Sequence, residues 1–315
     1  MKSKLFFVII AIFLAMGLCV ACTSGPKASS TDLTGVTTYY VRANGNDKNA
    51  GVSEDAPFQT LGRAIQAASG TRVKTITVIG TLDGQTEIKD SGTDQILITG
   101  KAGASDSEKA VLTRSAERIN TIRITGNSNI RLECLTVTGP VNSLSFIYAG
   151  NGAKLTLGRD AVILGNGYNV EYFRPSYGGG ILMIGGTLTM LDNAMVTNCF
   201  ASAGGGVAIQ NVTMIMQDNA IISNNIAGSD HFDNGGGGGI YSFDGKVTLR
   251  DNASVTGNTA PHSGGIILRL SEIETADNLQ IQGSGLYESR QVSGNTATGT
   301  WMGNPGGNNI RVHNQ

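Results

Sequence analysis

The sequence predicts an all-β chain wound as a parallel β-helix of three-strand coils. Three observations lead there. Glycine supplies 44 of 315 residues and proline only 6, a composition of many tight turns and not of a proline-rich disordered chain. Two short markers recur in lockstep along the second half of the chain. Between them, apolar and polar residues alternate with a period of two, as in strands buried on one face.

The repeat can be read from residue numbers. Gly180, Gly206, Gly239 and Gly265 each close a glycine run and precede Ile or Val, at separations of 26, 33 and 26 residues. Asp192, Asp218, Asp251 and Asp277, each followed by Asn, stand at the same separations, always 12 residues after the last glycine. Such a period means a solenoid, a propeller or an array, and a four-stranded propeller blade takes about 40 residues or more.

Each unit reads as three strands. The first follows the glycines. In the second, Leu188 and Met190, Met214 and Met216, and Val247 and Leu249 point inward. Thr187, Thr189, Thr213, Lys246 and Thr248 point out. In the third, Val196, Ile222, Val255 and Ile281 hold the inward register. Asn193, Asn219, Asn252 and Asn278 share one corner. Asparagine tolerates left-handed backbone there, and its amide can bond to its copy in the next coil. The earlier coils are less regular. "KLTLGRDAVILGN" matches "TLTMLDNAMVTNC" at a shift of 33, which sets Asp160 on Asn193.

The segments ahead of the coils are of other kinds. Lys2 and Lys4 precede an apolar stretch at residues 5–18, an export signal and not a membrane span. Cys22, after Val20 and Ala21, resembles the acceptor of a bacterial lipoprotein box, with Cys19 where leucine is usual. The expected organisation is a lipoprotein-type signal peptide at 1–22 and a polar tether at 23–37, then an N-terminal cap at 38–70 and the β-helix at 71–315. In the cap, Thr60 is placed to start a short helix whose apolar face is Leu61, Ala64, Ile65 and Ala68. Such an element covers the open end of a solenoid.

Charged residues are 15% of the chain and the net charge is -1, so no basic surface draws nucleic acid. The five glycines at 235–239 are not a phosphate loop. Val247 stands where Ser or Thr is needed after Gly245-Lys246, and Ile240 where a first glycine is needed. Cys134 and Cys199 could pair in an oxidising compartment; buried free thiols are the favoured reading.

The leader "YYVRANGNDKNAGVSEDAPFQTLGRAI" resembles that of secreted right-handed parallel β-helix proteins of the pectin-lyase-like superfamily, over residues 39–64. "GGGI" and "VSGNTA" are similar to repeats of polymorphic outer-membrane adhesins, although "VTGN" and "ISNN" replace the adhesin Phe-x-x-Asn. The resemblance implies a single-stranded right-handed helix, and does not by itself imply an activity.

Three places could carry function. Stacked coils set the aspartates in a column, either as turn caps, each accepting a backbone N–H at its own corner, or as a calcium site. The corner before each glycine run varies in length, and its insertions form one wall: Tyr168, Tyr172, Phe173, Arg174, Tyr177, Asp230, His231, Phe232, Asp233 and His262. Such a set suits sugar or peptide recognition, or else packs as ordinary loops. The superfamily resemblance also raises a polysaccharide lyase, with Arg174 as base and Asp230 and Asp233 for calcium, or a glycoside hydrolase. No paired arginine or lysine recurs on a strand face to support it. The expectation is an exported, lipid-anchored protein at the cell surface or outer membrane. It would bind glycan or host matrix without catalysis and without an obligatory cofactor. If Cys22 carries the lipid, Cys22→Ser moves the protein from the detergent phase to the aqueous phase in a detergent-partition assay.

Overall fold

The computed structural model describes residues 38–71, 74–116, 119–140, 144–165, 177–228, 236–277, 285–287, 289–297, 300–301, 304–305 and 309–313. Cys22, the signal and the tether lie outside these.

The chain is all-β, with mostly parallel sheets in a solenoid-like stack. Three faces enclose the core. On the first, Thr86–Lys89, Ile122–Thr125 and Ile147–Gly150 lead to the first half of Ile181–Met190. The first half of Val207–Met216, then Ile240–Phe243, Ile266–Arg269 and Ile310–His313 continue it. The second face runs from Thr38–Arg42 through Thr75–Ile79, Gly92–Gly100, Ser128–Glu133 and Lys154–Leu157. The second halves of the two long strands, Lys246–Leu249 and Glu272–Glu274 extend it. The third runs from Thr81–Asp83 to Val292–Ser293 through Met195–Thr197, Ile221–Ser223 and Ser254–Thr256. A short fourth ladder joins Phe200–Ala201, Ile226–Ala227, Thr259–Ala260 and Thr296–Ala297.

The register reproduces the repeat. Ile181 pairs with Val207, Val207 with Ile240 and Ile240 with Ile266. Lys154 pairs with Thr187, the shift of 33 read from the sequence. Leu188, Met190, Met214, Met216 and Val247 are wholly buried, as are Val196, Ile222 and Val255. The last coil departs from expectation. The residue paired with Val255 is Val292, not Ile281, which lies outside the described residues. Eleven extra residues therefore leave after Asp277, and Gly285–Tyr287 returns as an antiparallel partner of Ile310–His313.

Each coil turns at fixed places by left-handed residues. Between the first and second faces these are Asn151, Gly185, Asn211, Asp244 and Leu270. Between the second and third they are Asp192, Asp218 and Asp251, with φ of 56, 55 and 51°. The aspartate therefore takes the left-handed place assigned above to the asparagine beside it. Those asparagines do stack in part: Asn252 donates to Asn219 Oδ1 at 3.2 Å, and Asn219 to Asn193 at 3.4 Å.

A second asparagine ladder, not anticipated, is buried at the corner after the third face. The Asn225 amide donates to Asn258 Oδ1 at 2.9 Å and the Asn258 amide to Asn295 Oδ1 at 3.0 Å. The same oxygens take the backbone N–H of Asn225 and Asn258, each at 2.9 Å. Asn225 Oδ1 takes that of Cys199, also at 2.9 Å. Cys199 is a buried free thiol, and burial pushes its pKa up. Cys134 corrects the other half of that expectation: it is half-buried and disulfide-bonded, with its partner outside the described residues.

The leader has a packing explanation. Phe58 is buried against Tyr39, ring centroids 5.5 Å apart. A Cβ at Gly45 would lie 2.3 Å from Phe58 O, and one at Gly51 2.2 Å from the Phe58 ring. Asp47 accepts the N–H groups of Gln59 and Thr60 at 2.9 Å each and the Thr60 hydroxyl at 2.8 Å. Burial works to raise the Asp47 pKa, and these hydrogen bonds outweigh it, leaving the carboxyl below its usual range. Thr60 caps the helix Leu61–Ser69 through Arg63 N–H at 3.2 Å, and Leu61, Ala64, Ile65 and Ala68 are buried as read.

Leu270 stands at φ 49° with its side chain half exposed, where its equivalents are Gly, Asn or Asp. Left-handed backbone costs a branched residue about 1–2 kcal/mol. Leu270→Gly is expected to raise stability by about 1 kcal/mol, allowing for glycine's own entropy cost. Leu270→Val should lower it, both measured as the shift in urea midpoint.

Candidate functional site

The insertion wall rises from the corner that the glycine runs build. The first glycine of each run, Gly178, Gly204 or Gly237, is left-handed with φ of 61–62°. The second is required by close approach. A Cβ at Gly179 would lie 2.3 Å from Phe200 O, and one at Gly238 2.5 Å from Thr259 O. The start of each coil thus lies against its own end.

Of the wall residues, Tyr168, Tyr172, Phe173, Arg174, Asp230, His231, Phe232 and Asp233 lie outside the described residues. Tyr177 and His262 are described and share one column. Tyr177 bridges Ala203, and Ala203 bridges Gly236. His262 follows Gly236 by the 26 residues that carry Ile240 to Ile266. The two behave differently. His262 is 5% exposed and stacks over Gly236, so it packs inside the corner. Tyr177 is 37% exposed and hangs over the first face.

Its ring centroid lies 5.7 Å from that of Tyr241, two coils on. Only the small Ala203 and Ala208 stand between, which lets the rings meet. Tyr241 and Ile267 alternate with inward Ile240, Ile266 and Leu268, so they point outward. With Ala203 and Ala208 they form a separate apolar cluster, and Leu182 and Phe243 pack against it. The outward column continues from Leu182 to Tyr148, whose ring holds the Arg123 guanidinium at 4.5 Å. The neighbouring column holds Ile184, Gln210, Phe243 and Arg269. The second face presents instead Lys154, Thr187, Thr213, Lys246 and Glu272 at one outward column. Apolar and aromatic groups are thus gathered outside one sheet, beside the wall.

The aspartate column caps turns, but across coils. Asp218 Oδ2 accepts the N–H of Asp192 at 3.0 Å, and Asp251 Oδ2 that of Asp218 at 3.1 Å. Each carboxylate therefore serves the preceding coil and not its own corner. Asp277 instead takes the Ser289 hydroxyl at 3.0 Å and Arg290 N–H at 2.9 Å. Among the described residues no group of three or more His, Cys, Asp or Glu could hold a metal ion. A polar cleft of about 320 Å³ opens beside this corner, lined by Asp251, Asn252, Ser254, Asp277, Arg290 and Gln291.

Two arginines do converge, at a place the sequence reading missed. Arg131 Nε donates to Glu133 Oε1 at 2.6 Å, and Arg159 Nη2 lies 3.6 Å from Glu133 Oε2. Gly158 makes room for them, since a Cβ there would lie 2.8 Å from Arg131 Nη2. Asp192 stands 3.6 Å from Arg131. Burial raises the Asp192 pKa; Arg131 opposes this, while Asp218 and Glu133 add to it. The signal was "RLE" at 131–133, whose period of two places Arg131 and Glu133 on one side of a strand. Both guanidiniums are committed to Glu133, so neither is a free base.

No family model, no curated protein and no solved structure matches the chain.

Burial raises the Tyr177 phenol pKa above 10.0, the Tyr241 side chain adds to this, and Arg269 opposes it. In a spectrophotometric titration, the phenol lost in Tyr177→Phe is expected to titrate above 10.0. Arg269→Met should raise it further, because the opposing charge is gone.

Proposed function

We propose that this chain is an exported, lipid-anchored surface protein that binds a glycan without catalysis, along the outside of its first face and the adjoining wall. The fold we infer is a single-stranded right-handed parallel β-helix of three-strand coils. Parallel register coil after coil supports it, as does the rule that crossovers between parallel strands are right-handed in about 98% of cases. The leader's resemblance to the pectin-lyase-like superfamily points the same way. Surface location rests on the Lys2–Lys4 charge, the apolar stretch and Cys22.

One observation carries the binding reading: the aromatic and aliphatic side chains outside the first face, with half-exposed Tyr177 over them. Sugar rings present apolar faces and hydroxyl edges, and tyrosine meets both. A rigid sheet fixes these side chains at strand spacings of about 4.8 Å. Ligand sites of this kind are lined chiefly by apolar and aromatic groups with few polar ones.

The test is a panel of neutral and acidic polysaccharides, with binding and product formation followed in parallel. The expected result is retention of one or more polymers with no unsaturated-uronide absorbance and no new reducing ends. Tyr177→Ala should weaken that binding about tenfold, the effect of a modest aromatic anchor. Product formation, or binding indifferent to Tyr177→Ala, overturns the reading.

A further inference from the structure

The corner between the third and first faces is closed in later coils by the neutral amides of Asn225, Asn258 and Asn295. In an early coil Arg114 closes it. Arg114 follows the inward Leu112 by two residues, and Leu112 is continued by Val137, Ile163, Val196 and Ile222. Asn198 and Asn224 take the same place in their coils.

The Arg114 side chain belongs to the core, at 2% exposure. Nη1 donates to the Thr121 hydroxyl at 2.8 Å and Nη2 to the Leu144 carbonyl at 3.1 Å. The Thr121 hydroxyl donates onward to the Thr138 carbonyl at 2.7 Å. The guanidinium carbon lies 5.6 Å from the Phe146 ring centroid. Two groups along this chain of contacts are sealed from solvent without a hydrogen-bond partner: Arg114 Nε and the Thr138 hydroxyl. Among the described residues no carboxylate meets the guanidinium. Burial lowers its pKa to about 10, so it stays charged at neutral pH. A buried charge needs a counter-charge, and two neutral acceptors do not supply one.

We propose that Arg114 Nε and the Thr138 hydroxyl hold a small monovalent inorganic anion, of the size of chloride, in this corner. The anion supplies the counter-charge and accepts both unspent hydrogens. Only the folded chain assembles the site, so the anion is linked to folding and not to ligand capture on the outer faces.

The test uses urea unfolding of the full chain across a chloride series, with ionic strength made up by gluconate. The unfolding constant is expected to fall about tenfold for each tenfold rise in chloride above the dissociation constant. Arg114→Gln should be indifferent to chloride. Crystals soaked in bromide should show an anomalous peak within hydrogen-bonding reach of Arg114 Nε. If Arg114→Gln does not fold, the wild-type slope and the bromide peak decide alone, and both are required. A flat slope overturns the proposal, and so does a slope with no peak at Arg114. A wild type indifferent to chloride that becomes chloride-dependent on Glu117→Gln also overturns it, because the counter-charge is then a carboxylate of the chain.

Discussion

The coil-to-coil hydrogen-bond ladder is the constraint from which the other features follow. A parallel ladder pairs each residue with its counterpart one coil on. A slip of one residue would turn every side chain to the opposite side of its sheet. Extra residues can therefore leave only at corners. The 33-residue interval between Val207 and Ile240 and the eleven residues added after Asp277 both do so. Ligand-facing variation and core packing are separated by this rule: the loops vary while Ile181, Val207, Ile240 and Ile266 keep their stack.

The corners carry a second constraint. At each one the backbone enters left-handed geometry, and polar groups released by the turn need partners. The chain meets this differently at each corner. Asp192, Asp218 and Asp251 reach along the stack to the preceding turn. Asn225, Asn258 and Asn295 form a continuous amide column inside the corner, where each oxygen takes a neighbour's backbone and side-chain hydrogens. Glycine serves where one strand of chain crosses another, as Gly179 does under Phe200. Arg131, Glu133 and Arg159 add an ion-paired knot over Gly158 between coils too irregular for the aspartate column.

Much of the architecture was legible because the ladder enforces spacing. Equal intervals between Gly180, Gly206, Gly239 and Gly265 are the written form of parallel pairing, and period-two patterning identified the buried side of each strand. Where reading failed, two residues were chemically interchangeable. Aspartate and asparagine both tolerate left-handed backbone, so sequence could not tell which of Asp192 and Asn193 occupies it. "DNLQIQG" imitates the earlier units closely enough to suggest Ile281 as a core residue, although Val292 takes that place. The buried asparagine column was hidden because Cys199 begins it and glycine or asparagine precedes its members. For the candidate site, sequence found the corner and Tyr177. It did not show that His262 turns inward, or that Tyr241 and Ile267 complete the apolar surface, because outward and inward apolar residues look alike in composition.

The strand Gly285–Tyr287 has a consequence for self-association. An exposed parallel edge is a template on which another chain can add in the same direction, and fibrous growth starts from such edges. Ile310–His313 ends the parallel series of the first face, and the chain there binds a segment of itself running the other way. A neighbour approaching that edge meets a reversed polarity of donors and acceptors, so the register that built the stack cannot be copied into it. At that edge the molecule terminates its own template, and its length is a property of the sequence and not of concentration.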